Sequence, residues 1–265
     1  MLRQLIVNAD DFGFTRGVNE GILRAHREGI VTATTLMANG PAFEHAVELA
    51  RENPALDVGC HLVLVGGQSL AAPGRALPES VRALATAVLL RRIPIYDELA
   101  AQVRKLIDAG IHPTHVDTHK HTHLLPQVLN AVLRVAREFR IPWIRRTLVV
   151  PVVRRRFDRL IRSNGCHAAG HLAGFQLTGR FGIEDLVRLI HALPPGLTEF
   201  LCHPGYSDDD LRRSPTRLVK SREREVAALT APEVREALRA AGVELVSFRD
   251  LTATTSDNSG PTSPR

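Results

Sequence analysis

The sequence predicts an α/β protein built as a distorted (β/α) barrel of the TIM-like kind, in a single domain that spans residues 1–251. Short apolar runs alternate with amphipathic stretches along the chain, which is typical of strands that are each followed by a helix. Polar residues suited to metal or acid–base chemistry follow several of these runs, as in barrels whose functional groups lie at the carboxyl ends of strands. About seven strands are visible, so we expect a distorted barrel.

In the amino-terminal half, apolar runs predict strands and periodic runs predict helices. The helix at 18–27 places Val18, Ile22 and Ala25 on one face. Pro54 stops the next helix because proline cannot continue one, and Gly110 ends the helix after that. The predicted strands are 5–7, 34–37 and 58–62, and the predicted helices are 18–27, 43–52 and 99–107.

The carboxyl-terminal half continues this alternation. Its predicted strands are 114–117, 141–145, 199–202 and 243–247, and its predicted helices are 128–138, 183–193, 218–229 and 232–241. Residues 66–94 are less regular and are interpreted as a lid or an excursion from the core. Residues 252–265 are polar and rich in serine, threonine and proline, so we predict a disordered tail there.

Composition restricts the class of protein. Of the 265 residues, 44% are hydrophobic and 23% are charged, an ordinary globular balance. The three cysteines form no CxxC pair, which indicates neither a disulfide framework nor a thiolate zinc site and favours a reducing compartment. No apolar run approaches the roughly 18 residues of a transmembrane helix or the about 7–15 of a signal peptide. We therefore predict a cytoplasmic protein with no transmembrane segment.

The formal net charge of +6 raises the question of an acidic partner. The basic clusters are short, and aromatic residues, which make up 5% of the chain, are not interleaved with them. We therefore expect no nucleic-acid partner. For the assembly, a homodimer is the default expectation, because twofold dimers are the commonest soluble oligomers.

The motif NADDFG at residues 8–13 directly follows the first predicted strand. Its adjacent carboxylates, Asp10 and Asp11, repel each other when both are ionised and close together. A metal ion relieves that repulsion and leaves the second carboxylate free as a base. The alternative is an acidic turn that caps the next helix.

Histidines follow two further strands. His61 lies in the motif GCHL at 59–62, where a purely structural buried histidine is the alternative. The segment HVDTHKHTH at 115–123 contains four histidines and Asp117. Alternate residues of an extended chain share one side, so these five side chains would line one face. Short histidine-rich tracts favour metal binding, and a polar loop is the alternative.

A fourth strand, at 199–202, leads to His203, and Pro204 and Gly205 turn the chain directly after it. Together the four strand ends can supply one carboxylate and two histidines, the ligand set of a catalytic metal with open positions. Such a metal activates water near neutral pH. A spare carboxylate can then accept a proton, and a spare histidine can protonate a leaving amine.

These four motifs, in this order, resemble those of the YdjC-like carbohydrate deacetylases, also called the ChbG/HpnK family. The segment GIVTATTLMANGPAF at 29–43 is similar as well, and the resemblance extends from residue 5 to about residue 251. It implies a distorted (β/α) barrel. It also implies hydrolysis of the N-acetyl group of an N-acetylated amino sugar, such as a chitooligosaccharide or a GlcNAc-containing glycan or glycolipid, with release of acetate.

The resemblance implies a role for each residue of the site. Asp11, His61 and His119 would bind one divalent metal ion, magnesium or zinc. Asp10 would be the catalytic base, and His203 would be the general acid.

Four further residues receive supporting roles. Asp117 would orient a metal-bound histidine, as imidazole ligands usually require. Arg145 would hold Asp10 in place, and His121 and His123 would line the substrate groove.

Other functions stay open on the sequence. A metal-dependent hydrolase of a phosphate or other ester would use the same barrel, and a second metal ion would favour it. A non-catalytic metal- or sugar-binding protein would keep the ligands without Asp10 or His203, and both are present. The apolar side chains of 66–94 suit either a lipid-linked sugar or a helix packed on the barrel.

Overall fold

The computed structural model describes residues 2–146 and 151–257 as one α/β domain whose parallel strands form a curled sheet. Eight strands lie within these residues: β1 Arg3–Phe12, β2 Ala33–Leu36, β3 Asp57–Leu62, β4 His115–Thr118, β5 Trp143–Ile144, β6 His171–Ala173, β7 Gly196–Cys202 and β8 Val243–Leu245. The predicted fold class, a distorted single-domain barrel, is confirmed.

The strand order across the sheet is β5-β4-β3-β2-β1-β7-β6, and β8 pairs with the beginning of β1. Strands β5 and β6 stand at the two ends of this order, so the barrel has a seam between them. A single isolated bridge between Trp143 and His167 crosses near this seam in the described part of the chain. Because all of the pairings are parallel, the carboxyl ends of the strands meet at one rim.

Helices cover the outside of the sheet. Those in the described residues are α1 Arg16–Arg27, α2 Phe43–Glu52, α3 Val81–Leu89, α4 Ile95–Asp108, α5 Pro126–Glu138, α6 Pro151–Ser163, α7 Ile183–His191, α8 Asp209–Arg213, α9 Lys220–Thr230, α10 Pro232–Ala241 and α11 Phe248–Asp257. Short 3₁₀ segments follow β4 and β6, at His119–Leu124 and Phe175–Leu177. Of the helices that the structure describes, none has the length and apolarity that a membrane crossing requires.

The first strand and helix show how the sequence forms the core. Residues 5–12 of β1 are all buried, as expected for a strand covered on both faces. Thr15 caps α1 by accepting a hydrogen bond from the Val18 N–H at 3.2 Å. Val18 and Ile22 are fully buried, so the predicted helical face is the one that packs on the sheet.

Several elements differ from the sequence-based expectations. The short strand β6 and the helix α6 were not predicted, and the segment 66–94 contains the helix α3. Helix α11 runs through Asp257, so the prediction of disorder is wrong for residues 252–257. Thr252 donates to the Phe248 carbonyl and accepts from Trp143 Nε1, which ties this turn to the barrel. Residues 258–265 of the predicted tail lie outside the described residues.

Candidate metal centre

A bulge in β1 turns both adjacent carboxylates into the site. Neighbouring residues of a regular strand point to opposite faces. Here the register between β1 and β2 shifts between Ala9 and Phe12, and Asp11 adopts a left-handed φ of 71°. Such a conformation costs on the order of 1–3 kcal/mol in a residue other than glycine and is concentrated at functional sites. As a result Asp10 and Asp11 both reach the neighbourhood of His61.

Three of the predicted residues bring ligand atoms to one point. Asp11 Oδ1 lies 3.4 Å from His61 Nε2 and 3.2 Å from His119 Nδ1, and the two histidine nitrogens are 3.3 Å apart. A tetrahedral ion with ligands at about 2.0–2.1 Å requires ligand atoms roughly 3.3 Å apart. Asp11 Oδ1 is also buried without a hydrogen-bond partner. The spacing and the unpartnered oxygen therefore fit a divalent metal ion.

Each ligand is held by a second contact. Arg222 binds the other oxygen of Asp11 at 2.6 Å, which leaves Oδ1 free. Asp117 Oδ1 lies 2.7 Å from His61 Nδ1, which places the proton of that ring on Nδ1 and frees Nε2 for a metal. The role expected for Asp117, orienting a histidine, agrees with this contact.

The carboxylates around His61 stabilise positive charge on its ring. Burial opposes ionisation of Asp11, but Arg222 and the two histidines hold the pKa of its carboxyl well below the usual range. Burial likewise opposes protonation of His61, but Asp117 and Asp11 raise its pKa to about 10. A site that draws a proton this strongly also favours a cation, and metal binding there would release the proton.

A second group of close ligand atoms consists of Asp10, His61 and Asp117. The guanidinium of Arg145 already binds both carboxylates of this group. Arg145 contacts both oxygens of Asp10 at 2.7 Å each, and its Nη1 lies 2.5 Å from Asp117 Oδ2. Its Nε donates to Glu199 Oε1 at 2.6 Å. The first group is therefore the better candidate for the metal, and Arg145 holds Asp10 as expected.

Asp10 is buried and ionised beside His203. Burial opposes its ionisation, but Arg145 lowers the pKa of the Asp10 carboxyl far below its usual range. Asn8 Nδ2 donates to Asp10 Oδ1 at 3.0 Å. His203 Nε2 lies 3.8 Å from Asp10 Oδ2, too far for a direct hydrogen bond but close enough to contact the same small reacting group.

The histidine-rich segment is not extended, and the expectation that it lines one face is wrong. Strand β4 ends at Thr118, and the following 3₁₀ segment contains left-handed residues at Lys120 (φ 55°) and His121 (φ 51°). Only His119 joins the metal group. His123 is buried and pairs with the Thr118 hydroxyl through Nδ1.

His115 has a structural role at the floor of the barrel. Its Nε2 donates to Asn8 Oδ1 at 2.8 Å, and its ring stacks on Phe248 at 4.0 Å between centroids. A Cβ atom at position 59 would lie 2.5 Å from the His115 carbonyl oxygen. The glycine of the GCHL motif is therefore required by the close approach of β3 and β4.

Sequence reasoning missed Arg222 and Glu199 as functional residues. Arg222 lies on α9, within the helix predicted at 218–229, and its side chain is 1% exposed. Glu199 is a charged residue inside the strand β7 and is equally buried. The position of Glu199 in a predicted strand was a signal that the sequence offered. A carboxylate buried in a strand needs a positively charged or hydrogen-bonding partner, so a basic residue could have been sought near it.

His203 is positioned through its backbone by Glu225, also on α9. The His203 N–H donates to Glu225 Oε2 at 2.6 Å, and the Gly179 N–H donates to Glu225 Oε1 at 3.1 Å. Burial raises the pKa of Glu225 to about 7 in spite of these two donors. Burial also lowers the pKa of His203 to about 4, so its imidazole is neutral in the metal-free chain at neutral pH.

We expect Glu225→Gln to stabilise the protein at pH 8 but not at pH 4.5. The folded chain keeps Glu225 protonated up to about pH 7, whereas the unfolded chain ionises it near its ordinary pKa of 4.5. The unfolded state thus binds fewer protons in this window, and stability falls as the pH rises. Above pH 7, ionised Glu225 lowers the free energy of unfolding by the full amount, up to about 3 kcal/mol. Urea unfolding of both proteins at the two pH values measures it.

Glu223→Gln, at an exposed position of the same helix, is the matched control and should behave alike at both pH values. An equal stability difference between Glu225→Gln and the parent at pH 4.5 and pH 8 would contradict the prediction.

A family model described as YdjC-like protein matches residues 4–240. The chain belongs to the YdjC-like family. A relative named carbohydrate deacetylase, from Geobacillus stearothermophilus, is 38% identical over 255 residues, with 95% of this chain and 99% of the relative covered. Another relative of that name, from Brevibacillus brevis, is 36% identical over 253 residues, with 94% of this chain and 99% of the relative covered. The family resemblance inferred from the motifs is confirmed.

A solved structure agrees with the YdjC-like assignment. The crystal structure of an Enterococcus faecalis V583 protein, for which cellobiose-phosphate cleavage was proposed, superimposes with a TM-score of 0.82 at 26% identity. The match covers 95% of this chain and 99% of that chain. The curled parallel sheet of the YdjC-like fold is therefore shared over nearly the whole length.

Proposed function

We propose that this protein is a metal-dependent hydrolase that removes the N-acetyl group from an N-acetylated amino sugar and releases acetate. The observation that carries this proposal is the convergence of Asp11, His61 and His119 beside the Asp10 carboxylate and the His203 imidazole. The two relatives named carbohydrate deacetylases confirm the enzyme class predicted from the sequence, a hydrolytic deacetylase. We infer the amino-sugar substrate and the metal dependence from the residues of the site.

Asp11, His61 and His119 would hold the metal ion. A divalent cation held there supplies the positive charge that polarises an acetyl carbonyl and lowers the pKa of water. One carboxylate and two imidazoles suit zinc, and manganese, cobalt or iron also accept them, whereas magnesium prefers oxygen ligands. Since the ligand atoms have tetrahedral spacing, we propose zinc in preference to magnesium.

Asp10 acts as the general base. Its carboxylate remains ionised because Arg145 holds both oxygens, so it is ready to accept a proton from the attacking water. Arg145 also forms ion pairs with Asp117 and Glu199. Because its positive charge is shared with these two carboxylates, it lowers the basicity of Asp10 less than it would in an exclusive pair.

His203 donates the proton to the departing nitrogen. The imidazole is neutral in the resting site, so it becomes an effective acid only after it has gained a proton. The proton that Asp10 takes from the attacking water passes to His203, whose Nε2 lies 3.8 Å from Asp10 Oδ2, and from there to the nitrogen. Negative charge that develops on the reacting acetamide favours this protonation. Glu225 fixes the backbone of His203 throughout.

The other functions considered are less well supported. A two-metal esterase needs a second set of free ligands. In the described residues the second group shares His61 with the first, and Arg145 occupies its carboxylates. A non-catalytic binding protein does not need an Arg145-bound Asp10 next to His203.

Acetate release tests the proposal. The protein is treated with EDTA and assayed with zinc, magnesium, manganese or cobalt added back. The substrates are N,N′-diacetylchitobiose and N-acetylglucosamine on a lipid aglycone, with a phosphomonoester in parallel. We expect acetate release to return when metal is added back. The sugar that is hydrolysed faster shows whether the enzyme prefers a chitooligosaccharide or a lipid-linked sugar. Phosphomonoester cleavage without acetate release from either sugar would favour the esterase instead.

A further inference from the structure

Two ring side chains from opposite regions of the sheet meet across the open seam of the barrel. His121 follows β4, and Phe175 follows β6, the strand at the far end of the sheet order. Their ring centroids are 4.8 Å apart, with an interplanar angle of 63°. This edge-to-face contact is a favourable aromatic geometry. This contact joins the segments that follow β4 and β6, two strands that are not hydrogen-bonded to each other in the sheet.

The ring pair belongs to the mouth of the site. His121 lies two residues after His119, and the charges of Asp10 and Arg145 act on its ring. Lys120 and His121 are consecutive left-handed residues. Each costs on the order of 1–3 kcal/mol, and such strain is concentrated where a side chain must be aimed at a ligand.

Phe175 presents an open ring from a rigid turn. The side chain is 41% exposed. The preceding Gly174 has a φ of 92°, and a Cβ atom there would lie 2.2 Å from the carbonyl oxygen of Leu201, two residues before His203. The Gly174 carbonyl accepts from the Leu177 N–H at 2.9 Å, which closes the turn. The ring is therefore held at a defined place beside the end of β7.

We propose that Phe175, with His121 at its edge, forms a stacking platform for a pyranose ring of the substrate. This inference rests on the proposed function and names the part of the site that binds the sugar. One face of a pyranose presents axial C–H groups that pack on an aromatic ring, and its hydroxyls stay at the edge, where polar groups and water reach them. The residues after Phe175 suit that edge, because Gln176 is exposed and Thr178 is half-buried.

A lipid chain fits this place less well. An apolar aglycone needs a continuous apolar surface, whereas Phe175 is a single open ring between Gly174 and the exposed, polar Gln176. Stacking also requires a flat aromatic face, which distinguishes it from a general apolar contact.

The test compares variants of Phe175 in the full-length, zinc-loaded chain. Binding of N,N′-diacetylchitobiose is measured by calorimetry in an Asp10→Asn background, so that the ligand is not consumed. We expect Phe175→Ala to weaken binding about ten-fold. Phe175→Trp should retain binding, and Phe175→Leu should not restore it. In the active chain, Phe175→Ala should raise KM by a similar factor with kcat unchanged.

Leu245→Ala is the matched control. Leu245 is 37% exposed and pairs with Leu5 at the opposite end of β1, so its variant should bind the sugar like the parent. Equal binding by Phe175→Ala and the parent would overturn the platform, and so would full binding by Phe175→Leu, which would indicate a general apolar contact. Failure of the parent to bind any amino sugar would instead overturn the proposed function together with this inference.

Discussion

Asp10→Asn is expected to lower kcat by about 10²- to 10⁴-fold and to leave metal binding intact. The amide cannot accept a proton from water, yet it preserves the shape of the carboxylate in its pocket. Asp10 is not among the three residues of the better metal group, so the ligands remain. Steady-state acetate release, together with metal content by plasma mass spectrometry, measures both parts of the prediction.

Asp57→Asn is the matched control for this experiment. Asp57 is also fully buried, but it lies at the amino end of β3, where it binds Thr114 and Arg249. Its variant should keep kcat within a few-fold of the parent. Full activity of metal-loaded Asp10→Asn would show that the base is wrongly assigned. Loss of the metal from Asp10→Asn would place the ion in the second group, with Asp117.

His119→Ala is expected to weaken metal binding by roughly 10³-fold and to remove activity at limiting metal. One of three protein ligands is lost, and binding free energies of about 10–16 kcal/mol for complete zinc sites imply several kcal/mol for each ligand. Competition with a chromogenic chelator measures the affinity. Cobalt absorption spectra of the parent report whether the site is tetrahedral.

His121→Ala controls for the effect of altering this segment. His121 is two residues away on the same 3₁₀ segment but is not part of the ligand group, so its variant should keep the metal. The His121→Ala variant should instead weaken sugar binding, because the His121 ring contacts Phe175. Retention of metal by His119→Ala together with its loss from His121→Ala would reverse the assignment of the two histidines.

The local features of the fold were readable from the sequence because they depend on neighbouring residues. Apolar runs located seven of the eight strands, although β5 and β8 are shorter than predicted. The strand β6 was missed because three half-buried residues carry no periodic signal. Helix α11 was missed because the polar composition from residue 252 on was interpreted as disorder, whereas Trp143 Nε1 donates a hydrogen bond to the Thr252 hydroxyl and ties the helix to the barrel.

The sequence also determined the family and the residues of the candidate metal group. Parallel strands bring their carboxyl ends to one rim, which predicted a metal site there, and the family resemblance named Asp11, His61 and His119 as its ligands. Their convergence to within 3.4 Å agrees with that expectation.

Only the tertiary structure decided how the site is held together. The bulge at Asp11 depends on how β1 pairs with β2, and the kink after Thr118 separates His119 from the other histidines. Arg145 and Arg222 bind the two aspartates from 135 and 211 residues away along the chain. Local spacing describes the backbone over a few residues. A buried ion pair between distant segments depends on packing of the whole barrel, which brings its two charges together out of water.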